Sequence, residues 1–352
     1  MAFSGKLYPP KAIVGIAYKY YSGTPLTPNE CKNSELLRSK LQELGFEVVI
    51  KETNNLAINI EISQRHELFN LLESKYGTLN LEPKIVNDLR IYYGGRGIWI
   101  DKSRTSNISE EGITVGLLHT GKHYADDMTE EGVLYHYPGT KRPGQDRSDI
   151  VATKNAGELQ VPVFVIAHSK SNGSKRDVRL AWIEDWDDQS NLFLVTFGTS
   201  PPPHVPNEQN NKHDDLGDFY LTQKDIRQKS KTKIRNSNQQ QRFKMQLLKR
   251  YGPYCAVCGI GFSEMLIGAH LHPVERDGSY DPRNGLILCA NHHIAFDKGL
   301  FSIDPSGLAI QVKKNDTTLD ELQIRYFDLS HLPVQPEPIA LEYRWGEFMK
   351  NQ

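Results

Sequence analysis

Near the carboxyl end of the chain, three cysteines and one histidine have the spacing of a metal site. They form two pairs, Cys255-x-x-Cys258 and Cys289-x-x-His292. Cysteine sulfur and histidine nitrogen are the usual ligands of tetrahedral Zn²⁺, and two such pairs complete a structural site. The chain of 352 residues has only four cysteines, and three of them fall on this pattern, which argues against coincidence. The spacing therefore predicts one structural zinc ion, with a structured segment between the two pairs.

Further polar residues lie inside and just after this segment. His270 and His272 stand in Ala-His-Leu-His-Pro, Asn284 precedes the apolar run Gly-Leu-Ile-Leu, and His293 follows the second zinc pair. Over roughly residues 250–305 the sequence resembles the HNH, or ββα-metal, nuclease family. The resemblance implies a β-hairpin and a helix around one catalytic divalent ion, Mg²⁺ or another, with the zinc cluster bracing the motif.

The resemblance also implies a role for each of three residues in phosphodiester hydrolysis. His270 matches the general base that deprotonates water, and a neutral imidazole suits this task near pH 7. Asn284 matches the asparagine that holds the hairpin loop so that the base points at the water. His293 matches the final histidine of the motif, a ligand of the catalytic ion.

One position departs from the family pattern. Ala269 stands where the family commonly has an acid or a histidine that binds the catalytic ion. Asp297 lies four residues after His293, on the same face of the expected helix, and we predict that it completes the site. His272 is a second candidate ligand, although its position is usually apolar. A third interpretation leaves Asp297 as a helix cap or ion-pair partner with no role in metal binding.

The middle of the chain has the sequence pattern of a β-rich domain. Six apolar stretches, separated by Gly, Asn, Asp and Pro turns, lie between residues 89 and 198: IYYGGRGIWI, GITVGLL, GVLYHY, VPVFVIA, VRLAWIEDW and NLFLVTFG. Many short strands with such punctuation predict a compact barrel or sandwich.

Within this region, residues 119–140 resemble the pocket segment of SRA domains, which have a PUA-type barrel and flip a modified cytosine out of DNA. Tyr124, Asp127 and Tyr137 match the motif, but there is one extra residue before Gly132, and Pro138 replaces a threonine. The resemblance implies that the two tyrosines stack on the flipped base and that Asp127 accepts from its exocyclic amine. The alternative is a tyrosine-rich β-core followed by a polar turn.

Composition divides the chain further. The stretch at 199–215 is rich in Pro and Asn and reads as a linker, and residues 222–251 carry ten Lys or Arg against one acid. Directly before a nuclease motif, such a basic run is predicted to contact phosphates. The predicted α+β architecture has four parts: a small α/β unit of unknown role at 1–82, an SRA-like domain at 83–199, a linker with a basic segment at 200–235 and an HNH domain at 236–352. In the first part, polar capping residues, apolar residues at helical spacing and closing glycines predict helices at 33–45 and 63–77, with a strand at 46–52 between them.

Overall composition limits the class of protein. Hydrophobic residues make up 38% of the chain and charged residues 24%, which excludes global disorder. No apolar run approaches the ~18 residues of a membrane span. The first residues, MAFSGKLYPPKAIVG, lack the pattern of a secretory signal. We therefore expect a cytoplasmic protein with reduced thiols, in which Cys31 is an ordinary small apolar residue.

The two resemblances together imply a restriction endonuclease. In this leading hypothesis, the chain recognises 5-methyl- or 5-hydroxymethylcytosine in duplex DNA and cleaves phosphodiester bonds, as a homodimer that cuts both strands. One alternative is an HNH nuclease whose middle domain reads unmodified sequence or RNA. The other is a non-catalytic DNA-binding protein in which zinc serves only folding.

Overall fold

The computed structural model contains no helix, among the residues it describes, that is both long and apolar enough to cross a membrane. Backbone contacts divide the chain into two compact units, residues 1–59 and residues 60–352. The structure describes residues 2–3, 6–7, 52–120, 128–140, 142–202, 219–221, 238–313 and 317–350.

The first unit contains a short antiparallel pair of strands, β1 (Ala2–Phe3) and β2 (Lys6–Leu7). The helix predicted at 33–45 and all but the last residue of the strand predicted at 46–52 lie outside the described residues. Helix α1 spans Glu52–Tyr76. Its end agrees with the predicted glycine stop, since Gly77 has a φ of 74°.

The start predicted for helix α1, at residue 63, was wrong. The helix begins eleven residues earlier, at Glu52. A buried ion pair four residues apart, Arg65 Nε to Glu61 at 2.7 Å, crosses the predicted start and requires helical geometry there. Arg65 is fully buried and also donates to the carbonyls of Thr114 and Pro162, so it ties α1 to the sheet described next.

The middle region forms a six-stranded sheet. Each of the six predicted stretches contains one strand, and the strand order across the sheet is β3-β4-β6-β7-β8-β5. Only β4 and β6 run parallel; the other neighbours are antiparallel. The strands are β3 (Ile98–Ile100), β4 (Thr114–His119), β5 (Gly132–His136), β6 (Val163–His168), β7 (Arg176–Asp187) and β8 (Leu192–Phe197).

The described strands do not close into the predicted barrel. No ladder joins the outer strands β3 and β5 within the part of the chain that the structure describes. The Tyr135 hydroxyl on β5 reaches across instead: it donates to the carbonyl of Gly97, just before β3, and lies 3.2 Å from that of Leu118 on β4. The α+β class is confirmed, and the observed middle region is an open mixed sheet.

Among its described residues, this region also has three helices: α2 (Pro83–Asp88), α3 (Lys102–Thr105) and α4 (Pro143–Glu158). The longest, α4, was not predicted from the sequence. It packs against β4 and β7, and its buried residues are small or polar, including Ala152, Thr153 and Ala156. A helix that buries such residues has no apolar stripe, so hydrophobic periodicity does not reveal it.

The carboxyl-terminal region forms the predicted ββα unit. Strands β9 (Leu266–His270) and β10 (Gly285–Cys289) pair antiparallel and are followed by helix α6 (Ala290–Asp297). Around them lie helix α5 (Gln239–Tyr251), the hairpin of β11 (Phe301–Ile303) and β12 (Ile310–Val312), and helix α7 (Pro338–Lys350).

Helix α5 belongs to both regions. Its apolar residues Phe243 and Leu247 are fully buried, in the same hydrophobic cluster as Leu134 of β5 and Leu194 of β8. On another side, the Arg242 guanidinium binds both carboxylate oxygens of Glu184 on β7. The sheet and the ββα unit therefore share one core through α5, and the domain boundaries predicted between them stay predictions.

Three residues of the predicted basic segment have partners inside the protein. Arg242 is paired with Glu184, and Lys249 donates to both oxygens of Asp185 at 2.6 Å. Arg250 donates to the backbone carbonyl of Gln335. The other basic residues of the run before residue 238 lie outside the described residues, and the phosphate contacts predicted for the run stay a prediction.

We predict a measurable energetic link between the sheet and α5. In a double-mutant cycle of Glu184→Gln and Arg242→Gln, urea unfolding should give a coupling energy of about 1–2 kcal/mol, because the pair is bidentate and largely shielded. The exposed pair Lys102–Glu111 is the control and should give about 0.5 kcal/mol or less. Equal coupling in the two cycles would contradict a stabilising role for this contact.

Candidate active site

The predicted zinc ligands converge in the structure. Cys255, Cys258, Cys289 and His292 are all buried, and their ligand atoms lie within 4.8 Å of one another. Two of the separations are 4.0 Å, between the sulfurs of Cys258 and Cys289, and 3.6 Å, from Cys255 Sγ to His292 Nδ1. Ligands about 2.3 Å from a tetrahedral zinc are separated by about 3.8 Å. The Cys₃His cluster therefore fits a zinc ion.

The histidine of this cluster is held in the form that binding requires. His292 Nε2 lies 2.8 Å from the backbone carbonyl of Leu322, so Nε2 carries the proton and Nδ1 keeps its lone pair for the metal. Burial raises the pKa of the Cys258 thiol to about 12. Zinc binding must therefore displace thiol protons, which makes metal affinity fall as the pH falls.

His270 lies at the end of β9, where two aromatic rings pack against its imidazole. Its imidazole stacks on Phe243 of α5, with ring centroids 4.0 Å apart and planes 7° from parallel. The ring of Tyr280 meets it edge-on at 5.0 Å. The partner of His270 across the hairpin is Gly285, where a Cβ atom would collide with the Phe243 ring. Glycine at this position thus permits the stack.

The environment keeps His270 neutral. Burial lowers the pKa of its imidazole to about 4; nearby Glu275 opposes the shift, and electrostatic interactions with His293 and Arg344 add to it. A pKa of about 4 leaves the ring unprotonated, and able to accept a proton, at any pH well above that value. Its Nε2 is buried and has no hydrogen-bond partner among the described residues.

Asn284 shapes the loop that follows His270. The side chain is fully buried, its Oδ1 accepts from the backbone N–H of His272, and its Nδ2 donates to the carbonyls of His272 and Ser279. Three hydrogen bonds from one amide fix the start and the end of the loop. This geometry agrees with the predicted positioning role, which itself stays a prediction.

His293 and Asp297 lie one helical turn apart on α6. His293 Nε2 is 3.5 Å from Asp297 Oδ2, so both side chains can reach one ion. The other carboxylate oxygen, Oδ1, accepts from Arg344 of α7 at 2.7 Å. The structure thus contains both contacts considered for Asp297, and its role as a metal ligand stays a prediction.

The other two positions considered for the catalytic ion are Ala269 and His272. Ala269 is fully buried in the core and provides no ligand. The His272 Nε2 lies 2.6 Å from the carbonyl of Arg276, and its ring packs on Tyr343 at 4.5 Å. Both contacts hold His272 against the loop and α7, and its Nδ1 is buried with no hydrogen-bond partner among the described residues. The choice between Asp297 and His272 as the additional ligand therefore stays a prediction.

The proposed base pocket is described only in part, because Tyr124 and Asp127 lie outside the described residues. Tyr137 follows β5; its hydroxyl donates to Asp188 at 2.8 Å, and its ring packs on Phe193 with centroids 4.4 Å apart. Lys154 lies over the same ring. Burial and the hydrogen bond to Asp188 raise the Tyr137 pKa. These contacts fit a core role, and membership of a pocket stays a prediction.

Three residues near the site were missed by sequence reasoning. The rings of Phe243 and Tyr280 pack against the His270 ring, and Arg344 forms an ion pair with Asp297. Phe243 lies 27 residues before His270 and Arg344 lies 47 residues after Asp297. An apolar helix face or a single arginine at such distances has no spacing signature, so only the folded chain reveals their contacts.

We predict that the Cys₃His cluster holds about one zinc ion per chain. Cys258→Ser should reduce the zinc content and lower the thermal unfolding midpoint, because metal binding contributes to folding free energy. Cys31→Ser is the matched control and should change neither. Elemental analysis and a thermal melt measure both quantities. Full zinc retention in Cys258→Ser would exclude that thiol as a ligand.

Two segments match known family models. Residues 255–304 match a model described as HNH endonuclease, which covers the zinc cluster, the hairpin and α6. Residues 1–50 match a model described as ScoMcrA-like, N-terminal head domain. No curated protein matches the sequence.

Among solved structures, one match is described as modification dependent TagI restriction endonuclease; it is 16% identical, covers 76% of this chain and 91% of that chain, and has a TM-score of 0.32. Another is described as the type IV phosphorothioation-dependent restriction endonuclease ScoMcrA. It is 13% identical, covers 73% of this chain and 57% of that chain, and has a TM-score of 0.23. The family match and the site geometry agree: residues 255–304 are an HNH endonuclease domain, and the protein is a nuclease.

Proposed function

We propose that this protein is a modification-dependent restriction endonuclease that acts in the cytoplasm on foreign duplex DNA. The observation that carries the proposal is the juxtaposition, in one HNH unit, of a neutral His270 with the His293–Asp297 pair. The match of residues 1–50 to a head domain named after ScoMcrA supports restriction as the biological role. A homodimer would supply one such site for each strand.

In the proposed reaction, His270 takes the proton from the water that attacks the phosphorus. Nε2 of His270 is enclosed by the protein, so we propose that Nδ1 is the atom that accepts the proton from the water. Phe243 and Tyr280 hold the ring in place by stacking and edge contact, and Asn284 fixes the loop beside it. Positioning of this kind supports proton transfer because a general base must stay within hydrogen-bond reach of the water.

The donor set near His270 suits a divalent ion. An imidazole nitrogen and a carboxylate oxygen, from His293 and Asp297, are ligands that Mg²⁺, Mn²⁺ and similar ions accept to different degrees. Such an ion would supply charge stabilisation at the phosphate and at the leaving 3′ oxygen. Arg344 keeps the Asp297 carboxylate oriented toward α7 on its other side.

We predict that His270→Ala lowers the cleavage rate by roughly 10²–10⁴-fold, because a general base acts only in the chemical step. DNA binding should be unchanged. The exposed His331 of the same region provides the control variant His331→Ala, which should cut normally. Cleavage of plasmid DNA with added Mg²⁺ or Mn²⁺ measures the rate, and a near-normal rate for His270→Ala would remove this mechanism.

A companion measurement addresses the metal. Asp297→Ala should weaken cleavage in a way that a higher concentration of divalent ion partly restores, if the carboxylate is a ligand. If no concentration of divalent ion restores cleavage by Asp297→Ala, the role of Asp297 is instead its ion pair with Arg344.

For recognition, we propose that the middle domain reads a modified cytosine through Tyr124, Asp127 and Tyr137. A flipped base needs aromatic faces for stacking and an acceptor for its exocyclic amine. The methyl group of 5-methylcytosine adds only ~1 kcal/mol of apolar burial. Discrimination is therefore expected to be larger in the cutting rate than in binding.

A second candidate modification is a phosphorothioate in the DNA backbone. The match of residues 1–50 to the ScoMcrA-like head domain favours it, because the solved ScoMcrA is described as phosphorothioation-dependent. In that case recognition would depend on the backbone, and the tyrosines of the middle domain would belong to its core.

We predict that Asp127→Ala erases the preference for modified cytosine and leaves nonspecific DNA affinity intact, because phosphate contacts supply that affinity. Asp126→Ala, one residue away, is the matched control. The measurement is the cutting rate on duplexes with cytosine, 5-methylcytosine, 5-hydroxymethylcytosine, glucosylated 5-hydroxymethylcytosine or a phosphorothioate. Equal wild-type rates on all five would reject modification dependence, and a rate raised only by phosphorothioate would select the second candidate.

A further inference from the structure

Helix α6 has one buried side and one exposed side. The side chains that face the core are His292, Ala295 and Phe296. On the other side, three exposed residues at spacings of three and four form one row, called here the α6 stripe: Asn291, Ile294 and Lys298. Seven residues of helix rise by about 10 Å, so the α6 stripe is a surface of about that length.

The α6 stripe lies beside the two residues proposed to hold the catalytic ion. His293 directly precedes Ile294 in the sequence, and Asp297 directly precedes Lys298. Each residue of an α-helix is turned by about 100° from the one before it, so Ile294 and the buried His292 lie on opposite sides of His293. Around the helix, the order is therefore the core, the His293–Asp297 pair and the α6 stripe.

This order limits the path of a strand that is cut at the pair. On one side of His293, α6 packs against β9 and β10. At Asp297, Arg344 of α7 occupies the carboxylate oxygen Oδ1. On the other side Ile294 is 58% exposed, so this direction is open to a large ligand. A strand that brings a phosphate to the His293–Asp297 pair can therefore continue over the α6 stripe.

The side chains of the α6 stripe suit a nucleic-acid backbone. Within the part of the chain that the structure describes, the Lys298 ammonium and the Asn291 amide have no side-chain partner, and both residues are exposed. Both groups can donate to phosphate oxygens. Single exposed apolar residues are common, but Ile294 lies between these two donors, where a sugar would lie between two phosphates. The adjacent acid, Asp297, is compensated by its ion pair with Arg344 at 2.7 Å.

We propose that the α6 stripe binds the backbone of the DNA strand that is cut, over the nucleotides next to the cleaved phosphate. Lys298 and Asn291 each bind a phosphate, and Ile294 packs on the deoxyribose between them. Phosphates follow one another by about 3.4 Å along the duplex axis, so a stripe of about 10 Å spans roughly three nucleotides. The identification of the strand as DNA rests on the function proposed above. The stripe would hold the strand in register without reading its bases.

The test uses His270→Ala protein as the parent, which should bind without cutting, and measures the Kd of a duplex over about 50 to 200 mM salt. Lys298→Gln should reduce the slope of log K against log salt by about 0.9, because one phosphate contact is lost. Ile294→Glu should weaken binding about fivefold or more, because it places a negative charge beside the phosphates.

Each variant has a matched control outside the stripe. Lys84→Gln removes an exposed lysine of α2, and Ile339→Glu charges an isoleucine of α7 that is 48% exposed. Neither control should change the slope or the affinity. All four positions are at the surface, so thermal melts should show folded proteins with unfolding midpoints close to that of the parent.

An unchanged slope in Lys298→Gln together with unchanged affinity in Ile294→Glu would overturn the proposal. Equal changes in the stripe variants and in their controls would also overturn it, since they would reflect net charge alone. A duplex RNA of the same sequence forms the second arm: stripe variants that weaken RNA binding and leave DNA binding unchanged would overturn the proposal in favour of RNA. The affinities of the parent for modified and unmodified duplexes test modification dependence separately, so a failure of the proposed function is distinct from a failure of the stripe.

Discussion

The register of one hairpin determines the geometry of the whole nuclease region. In the β9–β10 ladder, Gly285 pairs with His270 at one end and Cys289 pairs with Leu266 at the other. A shift of one residue would turn every side chain of the strand to the opposite face. The zinc ligand Cys289 and the ring of His270 therefore hold their places only in this one register, which Asn284 fixes at the loop and the Cys₃His cluster fixes at the start of α6.

The same register places the Cys₃His cluster and the His293–Asp297 pair along a single short helix. His292 and His293 are neighbours on α6, and they point one ring into the buried cluster and the other toward Asp297. In the proposed mechanism, a change at His292 would alter the backbone that carries His293, so zinc binding and the catalytic site would be coupled. Burial among aromatic rings lowers the pKa of His270, so the proposed general base depends on the packing of the folded core.

Sequence reasoning worked best where chemistry demands close spacing. Cys-x-x-Cys, Cys-x-x-His and the residues of the ββα motif are encoded locally, and the structure brings the four zinc ligands together as expected. It worked less well for features set by long-range packing. The turn of α1 before its predicted start carries a buried Glu61–Arg65 pair, α4 buries small or polar residues, and Arg344 reaches Asp297 from a distant helix. The barrel was expected from strand count, yet strand count does not determine whether outer strands pair.

Helix α5 has a consequence for how such proteins diversify. It contributes Phe243 to the rings that pack against His270 and Arg242 to an ion pair with Glu184 on the sheet, within a single hydrophobic cluster. A recombination event that joined this nuclease region to a different sheet would have to replace the sheet surface that α5 covers, or leave Leu134 and Leu194 exposed. An exchange at the predicted linker would separate α5 from the sheet it packs against, so α5 and its sheet contacts must be inherited together.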